Sequence, residues 1–145
     1  MDALSEAYIK RYSNSGIEVI VKDKVTSTNT LLKEYAALNP GDKTDKVMIA
    51  SEQTMGKGRR GRAFYSPDSS GVYLSFLLHP HVDISDAMNL TTLAAVAVSE
   101  AVDEVSALKT GIKWVNDIYM YNRKVCGILT EASFGMETNS LDYVI

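Results

Sequence analysis

From residue 86 to residue 107 the apolar side chains Ala87, Leu90, Ala94, Ala97, Ala101 and Val105 recur at three- and four-residue steps, and this single long helical period limits the fold most. Ser85 stands in front of it as an N-cap, and the alanines predict a helix that lies close against a sheet. The other apolar stretches are short and rich in β-branched residues, which predicts strands at 18–21, 47–50, 72–78, 112–115, 118–120 and 124–130. Near-continuous apolarity marks 72–78 as a central strand covered on both faces. Two shorter helices precede it. One spans 2–12 on Leu4, Tyr8, Ile9 and Tyr12 and ends near Asn14 and Gly16; the other carries Leu31, Leu32, Tyr35 and Leu38. Ser27, Thr28 or Asn29 caps the second, and Asn39-Pro40-Gly41-Asp42 breaks it. Turn chemistry separates the remaining strands at 66–71, at Tyr121-Asn122-Arg123 and at 135–140, and a last strand begins at 141–145. The order αβαβ–β–α–βββ gives an α+β fold, a mixed or antiparallel sheet with helices packed on it.

A chain of 145 residues supports one domain with a real core. Its net charge of −3 argues against general nucleic-acid binding, which favours a basic protein. Cys126 is the one cysteine, so neither an internal disulfide nor a cysteine metal cluster can form. The sequence shows neither a signal-peptide pattern nor an apolar run of membrane-spanning length, and a soluble cytoplasmic protein is expected.

On this acidic background one loop stands out. Gly56-Lys57-Gly58-Arg59-Arg60-Gly61-Arg62 holds four of the fifteen basic residues, and no acidic residue lies between Glu52 and Asp68. Guanidinium forks suit phosphate or carboxylate oxygens, and glycines let backbone N–H groups come close to a ligand. An anion clamp and a solvated basic loop both fit this pattern. The missing Gly-Lys-Ser/Thr ending rules out a Walker A loop.

The sequence contains neither Gly-x-Ser-x-Gly nor His-Glu-x-x-His. His79 and His81 flank Pro80 and read as solvated turn residues rather than metal ligands. What remains is a charge-neutralising set without a nucleophile: Lys57, Arg59, Arg60, Arg62, Lys113 and Lys124, with Asn116 and Asp117 as oxygen ligands of the kind Mg²⁺ takes beside substrate phosphates. Such a set suits attack of a carboxylate on a nucleotide phosphate, where positioning and electrostatics dominate. Asn116-Asp117 reads equally as a turn after a strand, Lys124 as a hairpin charge, and Trp114 and Cys126 as core residues.

Five segments in order, Val25-Thr-Ser-Thr-Asn29, Ser51-Glu-Gln53, Gly56 to Arg62, Lys113-Trp-Val-Asn-Asp117 and Arg123-Lys-Val-Cys-Gly-Ile-Leu129, closely resemble the catalytic domain of biotin protein ligases. The resemblance implies activation of biotin with ATP and Mg²⁺ to biotinyl-5′-adenylate. Biotin then passes to a lysine of the biotin carboxyl carrier domain of a biotin-dependent carboxylase. It places Ser27, Thr28, Asn29 and Gln53 at the ureido end of biotin, and Gly56, Lys57, Gly58 and Arg59 over biotin and the adenylate. Arg59, Arg60 and Arg62 belong near the phosphates, Phe64 near the adenine, and Lys113, Asn116 and Asp117 with the nucleotide, Asp117 meeting Mg²⁺ through ATP. Lys124 corresponds to the catalytic lysine beside the biotin carboxylate, with Arg59 as its catalytic companion, and Gly127 to the glycine packed beside biotin.

This chain has Lys57 where many members have arginine, and Val115 where many have proline. It also ends before the family's Gly-x-Gly-x-Asn strand and C-terminal barrel, and carries no DNA-binding winged helix ahead of residue 25. The expectation is therefore a single catalytic domain over 1–145, incomplete at its C-terminal edge, without nucleic-acid or membrane partners. An unpaired edge strand there invites a homodimer. Two alternatives accompany this reading: a lipoate–protein ligase or octanoyltransferase, which shares the fold and a corresponding lysine, and a non-catalytic ligase fragment that holds biotin.

Overall fold

The computed structural model describes residues 5–13, 16–135 and 140–145. Leu4 and Asn14 of the expected first helix, and 136–139 of the expected turn, lie outside them. Two units form, Met1–Pro80 with Asp142–Ile145, and His81–Leu141.

In the first unit Ser5 caps α1 (Glu6–Lys10), its Oγ accepting from the Tyr8 N–H at 3.3 Å. The strand expected at 18–21 runs on as β1 (Glu18–Val25). Its polar half, Lys22-Asp23-Lys24, lies on a sheet edge, where side chains stay solvated while the backbone pairs with β2 (Lys46–Gln53). Lys24 holds Glu52 across that ladder at 2.8 Å. Of the three candidate caps, Ser27 caps α2 (Thr28–Leu38), accepting from the Thr30 N–H at 3.4 Å. Asn39 closes the helix by donating from its backbone N–H and its Nδ2 to the Tyr35 carbonyl.

β1 and β2 are parallel, with α2 as the crossover, and β2 pairs antiparallel with β3 (Tyr73–Leu77), so the sheet is mixed in the order β1-β2-β3. The strand covered on both faces is β2, whose residues 46–50 are all buried. β3 was expected in that place and instead alternates: Tyr73, Ser75 and Leu77 point inward, while Leu74 and Phe76 are each 44% exposed. One face of the sheet packs Met48 and Leu77 against Leu32 and Ala36 of α2 and against Ile145. The other gathers Val19, Val47 and Ile49 with Ile9, Ile17 and Val21. Leu78 and Val144 exchange backbone hydrogen bonds of 2.9 Å, joining the chain's end to the end of β3.

A charged group sits inside this unit. Lys46 is 1% exposed, ion-paired with Glu18 and with Asp42 at 3.0 Å, its ammonium 4.8 Å from the Tyr35 ring centroid. Burial alone would push its pKa down; the two carboxylates outweigh that and push it up. The Tyr35 hydroxyl donates to Asp42 at 2.6 Å and, with the Thr44 N–H and Lys46, holds the Asp42 carboxyl well below the usual carboxylate range. A carboxyl depressed in the folded state adds stability above its unfolded pKa of about 3.9, and that stability fades as pH falls through the folded value. Thermal melts of Asp42→Asn between pH 5 and pH 2 are therefore expected to fall less steeply with acid than wild type; parallel slopes would contradict the linkage.

In the second unit α3 (Ile84–Ser106) begins one residue before the expected cap. The N-cap is Asp83, whose carbonyl accepts from the Asp86 and Ala87 N–H groups, and Ser85 lies within the first turn. The buried face also differs from the expected alanine stripe in its second half. Ala87, Leu90 and Ala94 of that stripe are half-buried as expected, but beyond the fully buried Ala95 the half-buried positions include Ser99 and Val102, whereas Ala97, Ala101 and Val105 face solvent. Polar anchors account for the departure. Thr91 donates to Thr130 at 2.8 Å, Ser99 meets Thr110 at 2.6 Å, and Asp103 accepts from the Thr110 N–H and hydroxyl at 2.7 Å each.

After a left-handed Ala107 the chain enters β4 (Gly111–Lys113), β5 (Asp117–Met120) and β6 (Arg123–Gly127), an antiparallel sheet in that order. Tyr121 and Asn122, with φ of 49° and 61°, form the two-residue turn that a right-twisted hairpin favours. β6 stops at Gly127 rather than 130 because Ile128 is engaged by Asn116 on both its N–H and its carbonyl. β7 (Ala132–Phe134) and β8 (Leu141–Val144) follow. Trp114, expected in the core, is 78% exposed: it follows a strand whose residues are all exposed, and Ile118 of β5 takes the buried place. No helix among the described residues is long and apolar enough to cross a membrane.

Candidate functional site

The glycine-arginine loop is a folded hairpin. Gln53 bridges Ser66 and Lys57 bridges Ala63, while Phe64 N–H donates to Gly56 O at 2.8 Å and Gly58 N–H to Arg62 O at 2.7 Å. At its tip Arg59–Gly61 makes a short 3₁₀ turn, with Arg60 and Gly61 left-handed at φ of 57° and 73°. Gly61 makes that conformation cheap. Two bonds, Thr54 N–H to Val25 O and Met55 N–H to Thr26 O, fasten its base to the chain just before Ser27. Lys57, Arg59, Arg60, Arg62 and Phe64 are all exposed along it, an array of cations held on an ordered backbone.

Beneath the hairpin a polar relay links the residues picked from the sequence. Gln53 Oε1 accepts from the Thr28 N–H at 2.8 Å and lies 3.1 Å from the Thr28 hydroxyl. Its Nε2 donates to Ser66 Oγ at 3.2 Å, and Ser66 donates to the Phe64 carbonyl at 3.0 Å. On the other side Thr28 Oγ1 meets Ser75 Oγ at 2.7 Å, and Ser75 donates to Asn29 Oδ1. Ser27, Thr28, Ser66 and Ser75 are buried. The residue pattern alone does not single out Ser66 and Ser75. The signal for Ser75 was its place as a lone hydroxyl on the inward period of an apolar strand.

In the second unit the geometry depends on a bulge. Asp117 pairs with Gly127 and Ile118 with Cys126, but Tyr119 pairs with Lys124, so Val125 is an extra residue in β6. Regular alternation would send Lys124 and Gly127 to opposite faces. The bulge brings the Lys124 amine to 2.7 Å from Asp117 Oδ1, and Asn116 Nδ2 donates to the same oxygen at 3.1 Å. Gly127 provides the clearance, since a Cβ there would lie 2.9 Å from both Cε and Nζ of Lys124. Lys113 pairs with Asp117 across the β4–β5 ladder, its amine 5.5 Å from the Tyr119 ring centroid. Burial pushes the half-buried Cys126 thiol up in pKa and keeps it protonated.

Among the described residues no three His, Cys, Asp or Glu side chains gather to hold a metal. One carboxylate, Asp117, and the amide oxygen of Asn116 fit an ion that arrives on a triphosphate rather than a resident one. Elsewhere, His79 is tied to Asp45 through its N–H at 2.9 Å and its ring Nδ1 at 3.2 Å.

The biotin/lipoate A/B protein ligase family matches residues 21–143. The chain belongs to that family. It is 38% identical over 116 residues to the bifunctional ligase/repressor BirA of Bacillus subtilis, covering 80% of this chain and 35% of that protein. It is 34% identical over 112 residues to the biotin–[acetyl-CoA-carboxylase] ligase of Paracoccus denitrificans, covering 76% and 45%. The structure of a biotin protein ligase from Aquifex aeolicus in complex with biotin and ATP superimposes with a TM-score of 0.60 at 29% identity, over 88% of this chain and 50% of that one. The α+β reading therefore stands at the level of the family fold. The chain spans about a third of the length of the Bacillus relative.

Gly127→Ala is expected to push the Lys124 amine aside at little cost in stability, because the obstructed atoms are the far end of a flexible side chain. Where an amine serves a reaction, displacing it by an ångström costs on the order of a hundredfold in rate. Steady-state turnover beside a thermal melt checks this; equal losses in both would contradict it.

Proposed function

We propose that this chain carries the biotin-activating part of a biotin protein ligase. The observation that carries the reading is the buried relay through Asn29, Ser75, Thr28, Gln53 and Ser66. A cyclic urea has two N–H donors and a carbonyl acceptor to satisfy such groups. The hydrocarbon tail of an octanoyl or lipoyl group offers neither, and would gain no hydrogen bond from the relay's remaining lone pairs, which favours the urea.

In this reading Ser27, Thr28, Asn29 and Gln53 take the ureido ring, and Gly56, Lys57, Gly58 and Arg59 cover biotin and the adenylate. Arg59, Arg60 and Arg62 neutralise the phosphates, while Phe64 and Lys113 support the nucleotide. A biotin carboxylate oxygen attacks the α-phosphorus of ATP, the bond to the β-phosphate bridging oxygen breaks, and pyrophosphate leaves. Lys124 offsets the repulsion between the two anions, and Gly127 keeps room for its amine. Asn116 and Asp117 would hold Mg²⁺ carried in on ATP, whose role is to spread the triphosphate charge.

The carrier lysine then attacks the acyl carbon of the adenylate. A C–N bond forms, AMP leaves with the C–O electron pair, and the amine gives up its proton. The nucleophile comes from the partner, a biotin carboxyl carrier domain, which accounts for the lack of one in the sequence inventory. These substrates put the reaction in the cytoplasm.

Thermal-shift titration tests the choice of ligand. Biotin at a hundred times its Kd should stabilise by about 2.7 kcal/mol, and lipoate and octanoate should leave the melting point unchanged. Stabilisation by lipoate alone would overturn the reading in favour of the lipoyl branch of the family.

A further inference from the structure

Ser75 lies on β3 between Tyr73 and Leu77, on the face that packs into the core, and is 6% exposed. An alanine or valine would suit that position for packing alone. A hydroxyl there must be hydrogen-bonded to avoid a desolvation penalty, and this one touches two adjacent residues of α2.

Its one proton has a single destination. The contact with Asn29 Oδ1 is short and joins two oxygens, of which the amide oxygen cannot donate. Ser75 therefore donates to Asn29 and must accept from Thr28. The Thr28 proton follows: of the two acceptors within its reach, Ser75 Oγ at 2.7 Å is nearer than Gln53 Oε1 at 3.1 Å, and both lie inside the protein. Thr28 is left with lone pairs, not a proton, to offer a ligand. The Asn29 amide is locked with its oxygen toward β3.

We infer that Ser75 is a positioning residue that sets the hydrogen-bond polarity of the ligand pocket, fixing Thr28 as an acceptor so that it selects a ligand N–H over an ether-like oxygen. The inference rests on the biotin reading, in which that N–H belongs to the ureido ring. Ser75 itself need not touch the ligand.

The test is calorimetric titration of the 145-residue chain with biotin, with ATP, and with the two carbamate analogues of biotin in which one or the other ureido N–H is replaced by oxygen. Wild type should bind biotin well above at least one of the carbamates. In Ser75→Ala the Thr28 hydroxyl can turn and donate, so biotin weakens about tenfold and the biotin-to-carbamate ratio shrinks by a similar factor. ATP affinity should stay unchanged. Ser75→Thr keeps the hydroxyl on a β-branched residue suited to a strand, and should restore both values. An unchanged ratio in Ser75→Ala overturns the inference, as does failure of Ser75→Thr to recover it or an equal loss of ATP and biotin binding. Failure of wild type to bind biotin overturns the biotin reading and this inference together. Biotin binding with an unaltered ratio overturns the inference alone.

Discussion

Lys124→Ala is expected to lower the rate of biotinyl-adenylate formation by about 10²–10³-fold, the scale on which one pre-placed charge-stabilising donor acts. The lysine is not part of any core. Its amine stands 2.7 Å from Asp117 in a partly exposed pair, so its loss removes no buried packing and little stability. The effect should appear in the chemical step. In the proposed reaction two anions must meet, and the cation that favours their meeting is gone, whereas the proposed biotin contacts at Thr28, Asn29 and Gln53 are untouched. Rapid-quench measurement of adenylate formation, beside biotin titration, separates the two. A Lys124→Ala protein with normal chemistry would remove this residue from the mechanism. Lys124→Arg is expected to recover little, since a planar fork needs space that the Gly127 clearance gives only to a slender ammonium.

Gly56→Ala should produce the second large loss, by another route. A Cβ at Gly56 would stand 2.4 Å from the Phe64 carbonyl oxygen and 2.5 Å from Ser66 Oγ. The first is backbone and cannot step aside, so the Gly56–Phe64 hydrogen bond at the hairpin's base has to open. Ser66, pushed from its place, can no longer hold the Gln53 amide, and Gln53 is the acceptor for Thr28. Overpacking of this kind costs about 1–3 kcal/mol. The cation array and the polar relay are thus disturbed together, and biotin affinity should drop by roughly a hundredfold, about 2.7 kcal/mol. Gly41→Ala is the matched control: nothing lies within 4 Å of a Cβ there, and it should behave as wild type. Calorimetry with biotin on both variants decides it. Equal affinities would show that the hairpin tolerates a side chain at its base.

What the sequence made legible was local. A cap among Ser27, Thr28 and Asn29 is readable ahead of an apolar helical period, the structure selecting Ser27, and Asn39-Pro40-Gly41 ends a helix by the same short-range chemistry. The glycine-arginine loop announced its charge, and Lys124 and Asp117 were singled out by residue type. The arrangement that makes them useful was not legible. A bulge at Val125 arises from how β6 registers against β5, and nothing in Lys-Val-Cys-Gly marks it. The second half of the α3 face departs from the alanine stripe, where Ala97, Ala101 and Val105 are exposed while Ser99 and Asp103 hydrogen-bond to Thr110 beyond the helix end. Trp114 departs for a related reason: a large apolar side chain is usually buried, yet it follows a strand whose residues are all exposed. Ser75 was hidden inside a run read as uniformly apolar, where the alternation of β3 assigns it to the inner face.

In the proposed function these residues activate biotin as an adenylate. The direct measurement is mass spectrometry of a single-turnover mixture of the 145-residue chain with biotin, ATP and Mg²⁺, at enzyme concentration comparable to substrate. Biotinyl-5′-AMP should appear with an equivalent of pyrophosphate, and should be missing from the Lys124→Ala reaction. A folded wild-type chain that yields no biotinyl-5′-AMP, or that yields lipoyl-AMP from lipoate instead, would contradict the claim.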